Sequence, residues 1–93
     1  FNPNCPSLSM PFVGSLLSHR LEIDPIISLI AATRNPATTI LDNLTTGCLK
    51  VGAPADINFL WSKYISGWCQ TPGINPICKT MINGIIVNSN KVI

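Results

Sequence analysis

The sequence has 93 residues, of which 46% are hydrophobic and 11% charged, and its net charge is +2. A chain of this length forms one domain at most, and its hydrophobicity excludes intrinsic disorder, which requires few apolar residues and a high net charge. The charge is too small for a nucleic-acid-binding surface, and a single histidine excludes most hydrolytic metal centres.

The first residues and the longest apolar runs bear on targeting. The chain begins at Phe1 rather than methionine, so we expect a piece of a longer protein or a processed product. The opening sequence has no basic stretch followed by an apolar run and therefore differs from a signal peptide. No apolar run reaches the roughly 18 residues that a membrane-spanning helix requires. We therefore expect a cytoplasmic protein with no membrane partner.

Four cysteines, Cys5, Cys48, Cys69 and Cys78, allow two interpretations. They could form two disulfides in a secreted scaffold, or they could be buried free thiols in a cytosolic chain. Their density lies below the ~8–10% of disulfide scaffolds, and the absence of a Cys-x-x-Cys pair argues against structural zinc. We expect free thiols, in which case the glycosylation sequon Asn43-Leu44-Thr45 has no role.

The stretch from Leu8 to His19 has helical spacing. Pro11 fits only in the first turn of such a helix, so we expect Ser7 or Ser9 to be the N-cap. The apolar residues that recur every three or four positions are Leu8, Phe12, Val13, Leu16 and Leu17.

Two further helix starts follow, each marked by a capping residue before a proline. Asp24-Pro25 predicts a short, mostly buried helix from Ile26 to Ala32. Asn35-Pro36 predicts another from Ala37 to Leu41, with a corner between the two helices at Thr33 to Asn35.

After residue 47 the pattern becomes typical of strands. We expect a short strand from Cys48 to Val51, a turn from Gly52 to Ala55, and a half-buried strand from Asp56 to Trp61. The Gly- and Pro-containing stretch from Ser62 to Pro76 predicts an irregular connection.

The strongest local signal predicts a β-hairpin. Two β-rich runs, Lys79 to Ile82 and Ile85 to Val87, flank Asn83-Gly84, whose residues accept the positive φ of a type I′ turn. Side chains alternate between the faces of a hairpin, so two pairs should each share a face: Met81 with Ile86, and Ile82 with Ile85.

A second turn at Ser89-Asn90 predicts a last short strand from Lys91 to Ile93. Helices therefore come first and strands afterwards, which is the order of an α+β fold.

Three stretches in this order resemble one enzyme superfamily. Thr46 to Ile57 resembles the "G-x-L-x-x-G-x-x-A-D" signature near the carboxyl end of amidohydrolase-superfamily enzymes. Ala32 to Ala37 is similar to the "T-x-N-P-A" helix corner that precedes it there, and Thr80 to Val87 is similar to the closing hairpin. Within the superfamily, Met10 to Val13, followed by Arg20-Leu21 and Asp24, looks most like bacterial class I dihydroorotase.

The resemblance implies both a fold and a division of the chain. Residues 1–45 would be the last helices of a (β/α)8 amidohydrolase barrel. Residues 46–93 would be short strands of the accessory composite β-sandwich.

The same resemblance implies a chemistry whose residues this chain lacks. Members of the family hydrolyse a cyclic amide with water held by one or two zinc ions, which lower the pKa of the water and polarise the carbonyl. The family's ligands are a His-x-His pair, a carboxylated lysine and two further histidines, with an aspartate as general base. This sequence has one histidine, so we assign no catalytic, cofactor-binding or metal-binding residue and expect those groups upstream of Phe1.

Several individual residues have a structural and a functional interpretation. His19, near a helix end, is expected to be a surface or capping residue rather than a ligand. Asp56 is expected to accept N–H bonds from a turn rather than to act as a ligand or base. Trp61 and Trp68 are expected to cover a core or an interface. Nothing in the spacing of Ser18 and His19 supports a catalytic triad.

Three functions fit the sequence. The first is a catalytically incomplete dihydroorotase-like fragment from a family of pyrimidine biosynthesis, inactive alone. The second is a non-catalytic interaction module that docks on a barrel-bearing partner. The third is a small secreted protein stapled by disulfides. The expected partners are the missing barrel-bearing chain or a second copy of this chain. We expect no nucleic-acid partner.

Overall fold

The computed structural model describes residues 9–40 and 46–89. Helices α1 (Met10–Leu21), α2 (Pro25–Ala32) and α3 (Arg34–Ala37) precede strands β1 (Ile57–Leu60), β2 (Ile77–Ile82) and β3 (Ile85–Ser89), with a 3₁₀ helix at Ile65–Trp68. This order confirms the α+β class. The predictions for Ser7, Cys5, the sequon, Leu41 and the last strand lie outside the described residues.

Helix α1 begins at the predicted cap. The Ser9 hydroxyl accepts the backbone N–H three residues later at 3.3 Å, and Pro11 lies in the first turn. The helix ends at Leu21 and is capped by Glu22, whose φ of 55° places it in the left-handed region. That conformation lets the N–H of Ile23 donate to the carbonyl oxygen of Leu17 at 3.1 Å, which closes the last turn.

Helix α2 also begins as predicted. The carboxylate of Asp24 accepts the N–H of Ile26 at 2.8 Å, and Pro25 is the first helical residue. The helix ends at the predicted corner, because Thr33 leaves the helical conformation with φ −123°.

The prediction of a helix from Ala37 to Leu41 capped by Asn35 is wrong. Helix α3 begins at Arg34, so Asn35 lies inside it and Thr33 is the cap. Pro36 is tolerated because the N–H it lacks has no intrahelical partner in a first turn. The following residues form tighter turns with i→i+3 hydrogen bonds.

The predicted strand from Cys48 to Val51 is also wrong. This stretch is irregular and leads into a turn in which the N–H of Ala53 donates to the carbonyl oxygen of Lys50 at 3.1 Å. Leu49 and Val51 are 81% and 103% exposed. A strand requires a neighbour for its backbone hydrogen bonds, and no described strand lies beside this stretch.

The three strands form one antiparallel sheet in the order β1-β2-β3. Strand β1 confirms the strand predicted within residues 56–61, and the predicted irregular connection to β2 is interrupted by the 3₁₀ helix. Cross-strand pairing places Ile57 beside Met81 and Met81 beside Ile86, so an apolar row crosses the whole sheet.

The predicted hairpin is confirmed. Asn83 and Gly84 have φ of 50° and 78°, as a type I′ turn requires. Both predicted pairs occur: Met81 lies opposite Ile86, and Ile82 lies opposite Ile85.

Few side chains are buried in the described residues. The buried ones are Ala37, Trp68, Cys69, Ser15 and Ser28. The expectation that α2 is mostly buried is wrong, because Ile26, Ile27 and Ile30 are 45–61% exposed. Their outer side faces no described element of the chain, so the fold leaves an apolar helical face uncovered.

Candidate functional site

Four buried residues of the described part of the chain form a group around Trp68 that we call the Trp68 cluster: Ser15, Ser28, Trp68 and Cys69. The Ser15 hydroxyl donates to the carbonyl oxygen of Cys69 at 2.5 Å across 54 residues of sequence. The indole N–H of Trp68 donates to the carbonyl oxygen of Pro25 at 2.9 Å. These two bonds fasten the end of the 3₁₀ helix and the residue after it to α1 and α2.

Gly14 allows this close approach. A Cβ atom at this position would lie 2.5 Å from Cη2 of Trp68 and 2.9 Å from the Cβ of Cys69. Real side chains do not tolerate such distances, so α1 and the indole can be this close only because the helix presents a bare backbone there.

The Cys69 thiol lies inside the cluster and is 2% exposed. Burial raises its pKa, since the thiolate would lose its hydration, and a hydrogen bond with Ser28 opposes that shift. A thiol held in its protonated form is a poor nucleophile and a poor metal ligand. The cluster is therefore suited to packing rather than to chemistry.

An apolar cleft of about 600 Å³ lies between the helices and the sheet. Its walls include Met10, Leu29, Ile57, Leu60, Ile65 and Ile77. Small-molecule pockets of this size have a few polar groups that orient a ligand. Two of the polar residues here are already used: Asp56 binds the hairpin turn, and the Asn58 side chain accepts the Thr80 hydroxyl at 2.9 Å.

Asp56 performs the structural role expected of it. Its carboxylate accepts the N–H of Asn83 at 2.9 Å, while the carbonyl oxygen of Ala55 accepts the N–H of Gly84 at 3.0 Å. The turn that donates the predicted bond is the hairpin turn, not the turn that precedes Asp56. Asp56 thus joins the start of β1 to the tip of the β2–β3 hairpin.

His19 is exposed, and its Nε2 lies 2.8 Å from the carbonyl oxygen of Gln70. A carbonyl only accepts, so the ring nitrogen donates, and His19 ties the end of α1 to the residues after the Trp68 cluster. Sequence reasoning placed His19 on the surface but missed this long-range contact. Its engagement with a carbonyl gives no support to a pairing with Ser18.

The two tryptophans have different environments. Trp68 is 6% exposed and belongs to the core, whereas Trp61, just beyond β1, is 47% exposed. The expectation of core packing therefore holds for Trp68.

Cys48, Cys69 and Cys78 are free thiols. Two disulfides among four cysteines would require at least one bridge within this trio, so the structure favours the free-thiol interpretation.

Within residues 9–40 and 46–89, no three His, Cys, Asp or Glu residues lie close enough to hold a metal ion. None of the helices in this part of the chain is both long and apolar enough to cross a membrane.

Comparison with known proteins identifies distant relatives. No protein-family model matches the chain. It is 33% identical, over 99% of its length, to an imidazolonepropionase of Symbiobacterium thermophilum, and 41% identical over 60% of its length to an imidazolonepropionase of Haloarcula marismortui. The alignments span 22% and 13% of those two proteins.

These relatives support the resemblance to the amidohydrolase superfamily, to which imidazolonepropionase belongs. The homology is weak and is confined to the carboxyl-terminal part of the relatives. Neither of the two is a dihydroorotase.

Proposed function

We propose that this chain is a structural, non-catalytic segment of an imidazolonepropionase-type amidohydrolase. In that role it supplies helices that pack against a catalytic barrel and strands of an accessory sheet. The complete enzyme would open a cyclic amide ring by hydrolysis of a C–N bond.

The observation that carries this proposal is the extent of the similarity. The match to the Symbiobacterium protein runs over 99% of this chain yet spans only 22% of that relative. A similarity that covers both the helices and the sheet supports a common arrangement of the two parts. The remaining length of the relative is ample for a catalytic domain.

The distribution of apolar surface supports the same role. The outer face of α2 exposes Ile26, Ile27 and Ile30, and α1 exposes Phe12 and Leu16. Exposed apolar side chains grouped on helices are typical of surfaces that another protein covers. A barrel would cover this helical face, whereas the Trp68 cluster holds the helices in position from the inside.

The residues of this chain do not fit the zinc centre of the resembled family. Its single histidine donates to the carbonyl oxygen of Gln70, and the described residues contain no group of three candidate ligands. The chain therefore contributes no step of hydrolysis in this proposal, and the metal-binding residues would belong to the remainder of the enzyme.

Two narrower alternatives follow from the same resemblance. A dihydroorotase-type substrate, with a place in pyrimidine biosynthesis, remains a candidate, but both relatives favour the imidazolone ring. A module that docks on a separate barrel-bearing chain would use the same helical face. It differs from the main proposal only in whether the two parts share one polypeptide.

A chimeric enzyme tests the proposal. The matching segment of the Symbiobacterium imidazolonepropionase is replaced by this chain, and hydrolysis of imidazolonepropionate is measured beside an enzyme truncated before that segment. We expect the truncated enzyme to be insoluble or inactive and the chimera to be soluble and active. A chimera that behaves like the truncated enzyme would contradict the proposal.

A matched pair of variants controls for mere attachment of any domain. Ile27→Lys places a charge on the exposed helical face and should abolish rescue, because that face would be buried against the barrel. Val51→Lys, at a fully exposed position in an irregular segment, adds the same charge elsewhere and should leave rescue intact.

A further inference from the structure

We propose that Asn83 is a site of spontaneous covalent modification, at which the backbone nitrogen of Gly84 displaces the side-chain amide nitrogen as ammonia. The rate is set by the contacts that hold the hairpin turn to Ala55 and Asp56. Asn83 and Gly84 are exposed at the tip of the β2–β3 hairpin. Water is the only co-reactant, so the reaction requires no other part of an enzyme and does not depend on the proposed function.

The reaction converts an amide into a carboxylate in two steps. The nitrogen of Gly84 loses its proton to solvent and bonds to Cγ of Asn83, while the bond from Cγ to the side-chain nitrogen breaks and ammonia leaves. Water then opens the resulting cyclic imide by adding hydroxide to one of the two ring carbonyl carbons and returning a proton to the ring nitrogen. The product is aspartate or isoaspartate, in which the backbone passes through the side chain.

The residue that follows an asparagine decides how readily this ring closes. Asn83 is followed by glycine, which has no Cβ to obstruct the approach of its nitrogen. Asn35 and Asn75 are followed by proline, whose nitrogen carries no hydrogen. Asn58 and Asn88 precede larger residues and lie within paired strands. Among the asparagines that the structure describes, Asn83 therefore has the most reactive neighbour.

The folded turn restrains the reaction. The N–H of Gly84 donates to the carbonyl oxygen of Ala55 at 3.0 Å, so the attacking nitrogen is held together with its proton. The N–H of Asn83 donates to the carboxylate of Asp56 at 2.9 Å. The negative charge on these two acceptor oxygens disfavours the nitrogen anion that the first step requires. Ring closure therefore requires the turn to separate from the residues that lead into β1.

The modification changes the turn in two ways that oppose its return. A carboxylate at position 83 adds a negative charge to a turn that already contacts Asp56, and like charges repel. Isoaspartate also adds a backbone atom to a two-residue turn whose length sets the register of β2 and β3. We therefore expect the modified hairpin to pair less well with β1 and the modified chain to unfold at lower temperature.

Incubation of the folded chain at mildly alkaline pH, followed by proteolysis and mass spectrometry, tests the inference. The peptide that contains Asn83 should show the mass change from amide to acid before any other described asparagine does. Chromatography should separate its aspartate and isoaspartate forms. Asp56→Ala removes the acceptor of the Asn83 N–H and should accelerate the modification about tenfold, because hydrogen bonds to charged groups contribute strongly to keeping a turn closed.

Asp24→Ala is the matched control. It also removes a carboxylate that accepts a backbone N–H, at 2.8 Å, but at the start of α2, so the rate at Asn83 should equal that of the parent. Far-ultraviolet circular dichroism of both variants should match that of the parent.

Hydrogen exchange of the parent provides a test that requires no variant. Guanidinium chloride below the unfolding transition should accelerate exchange of the Gly84 amide and modification of Asn83 in parallel. Earlier modification of another described asparagine, equal rates in Asp56→Ala and Asp24→Ala, or modification that does not follow the exchange of Gly84 would overturn the proposal.

Discussion

At the scale of single residues, Gly14 decides how closely α1 approaches Trp68. Alanine is about 1 kcal/mol better than glycine inside a helix, so Gly14→Ala would stabilise a loosely packed chain. We expect a loss of about 1–3 kcal/mol instead, because the added Cβ would lie 2.5 Å from the indole. Urea unfolding followed by circular dichroism measures this loss.

A double-mutant cycle separates this crowding from other effects of the substitution. Trp68→Phe removes the indole atoms Cη2 and Cζ2, which lie 2.5 Å and 2.8 Å from the added Cβ. The cost of Gly14→Ala should therefore be smaller in the Trp68→Phe background. Equal costs in both backgrounds would show that the indole is not the obstacle.

Cys69 links the stability of the chain to pH. Burial raises the pKa of its thiol above the ordinary value of 9.0, so the unfolded chain loses this proton at lower pH than the folded chain. The contribution of the protonated Cys69 thiol to the free energy of unfolding is therefore complete below about pH 9. It is lost as pH rises through the folded-state pKa. Urea unfolding between about pH 7 and pH 10 should show this decline.

Two variants identify the group responsible. Cys69→Ala should flatten the decline, because the titrating group is gone. Ser28→Ala should steepen it, because the hydrogen bond that lowers the pKa of the thiol is removed. A decline that is the same in Cys69→Ala and the parent would assign it to other residues.

At the scale of elements, the hairpin depends on its two-residue turn. Gly84 has φ of 78°, which a β-branched residue resists, so Gly84→Val should lower the free energy of unfolding by about 1–2 kcal/mol. Asn83→Gly is the matched control, since glycine adopts the φ of 50° at that position without strain. Thermal unfolding of the two variants beside the parent measures the difference. Equal midpoints for Gly84→Val and the parent would contradict the role of the turn.

Elements whose structure depends on residues adjacent in the sequence could be predicted. Elements whose structure depends on residues far away in the sequence could not. Asp24-Pro25 and Asn83-Gly84 contain their own capping or turn chemistry, and both behave as predicted. Cys48 to Val51 has the composition of a strand, but pairing depends on a neighbour that composition does not reveal. The helix start predicted from Asn35-Pro36 was wrong, because the next helix already begins at Arg34. Thr33, at the end of α2, is the cap of that helix.

The Trp68 cluster could not have been predicted for a similar reason. Ser15 and Cys69 are 54 residues apart, and neither position shows a pattern that indicates the other. The resemblance to the amidohydrolase superfamily could be recognised in the sequence because it depends on short motifs in a fixed order. Those motifs did not separate dihydroorotase from imidazolonepropionase, because substrate choice depends on the residues that touch the substrate. This chain spans only 22% of the first relative.

At the scale of the whole molecule, the proposed structural role predicts that the chain alone neither holds zinc nor hydrolyses a substrate. We expect the purified chain to retain less than about 0.1 zinc ion per molecule after dialysis, because stable protein sites use three or four ligands. It should hydrolyse neither imidazolonepropionate nor dihydroorotate, whereas the intact Symbiobacterium enzyme, assayed in parallel, should hydrolyse the former. Elemental analysis and ultraviolet absorbance of the substrates provide the two measurements. About one tightly held zinc ion per chain together with ring opening would place a catalytic centre within these 93 residues and refute the structural role.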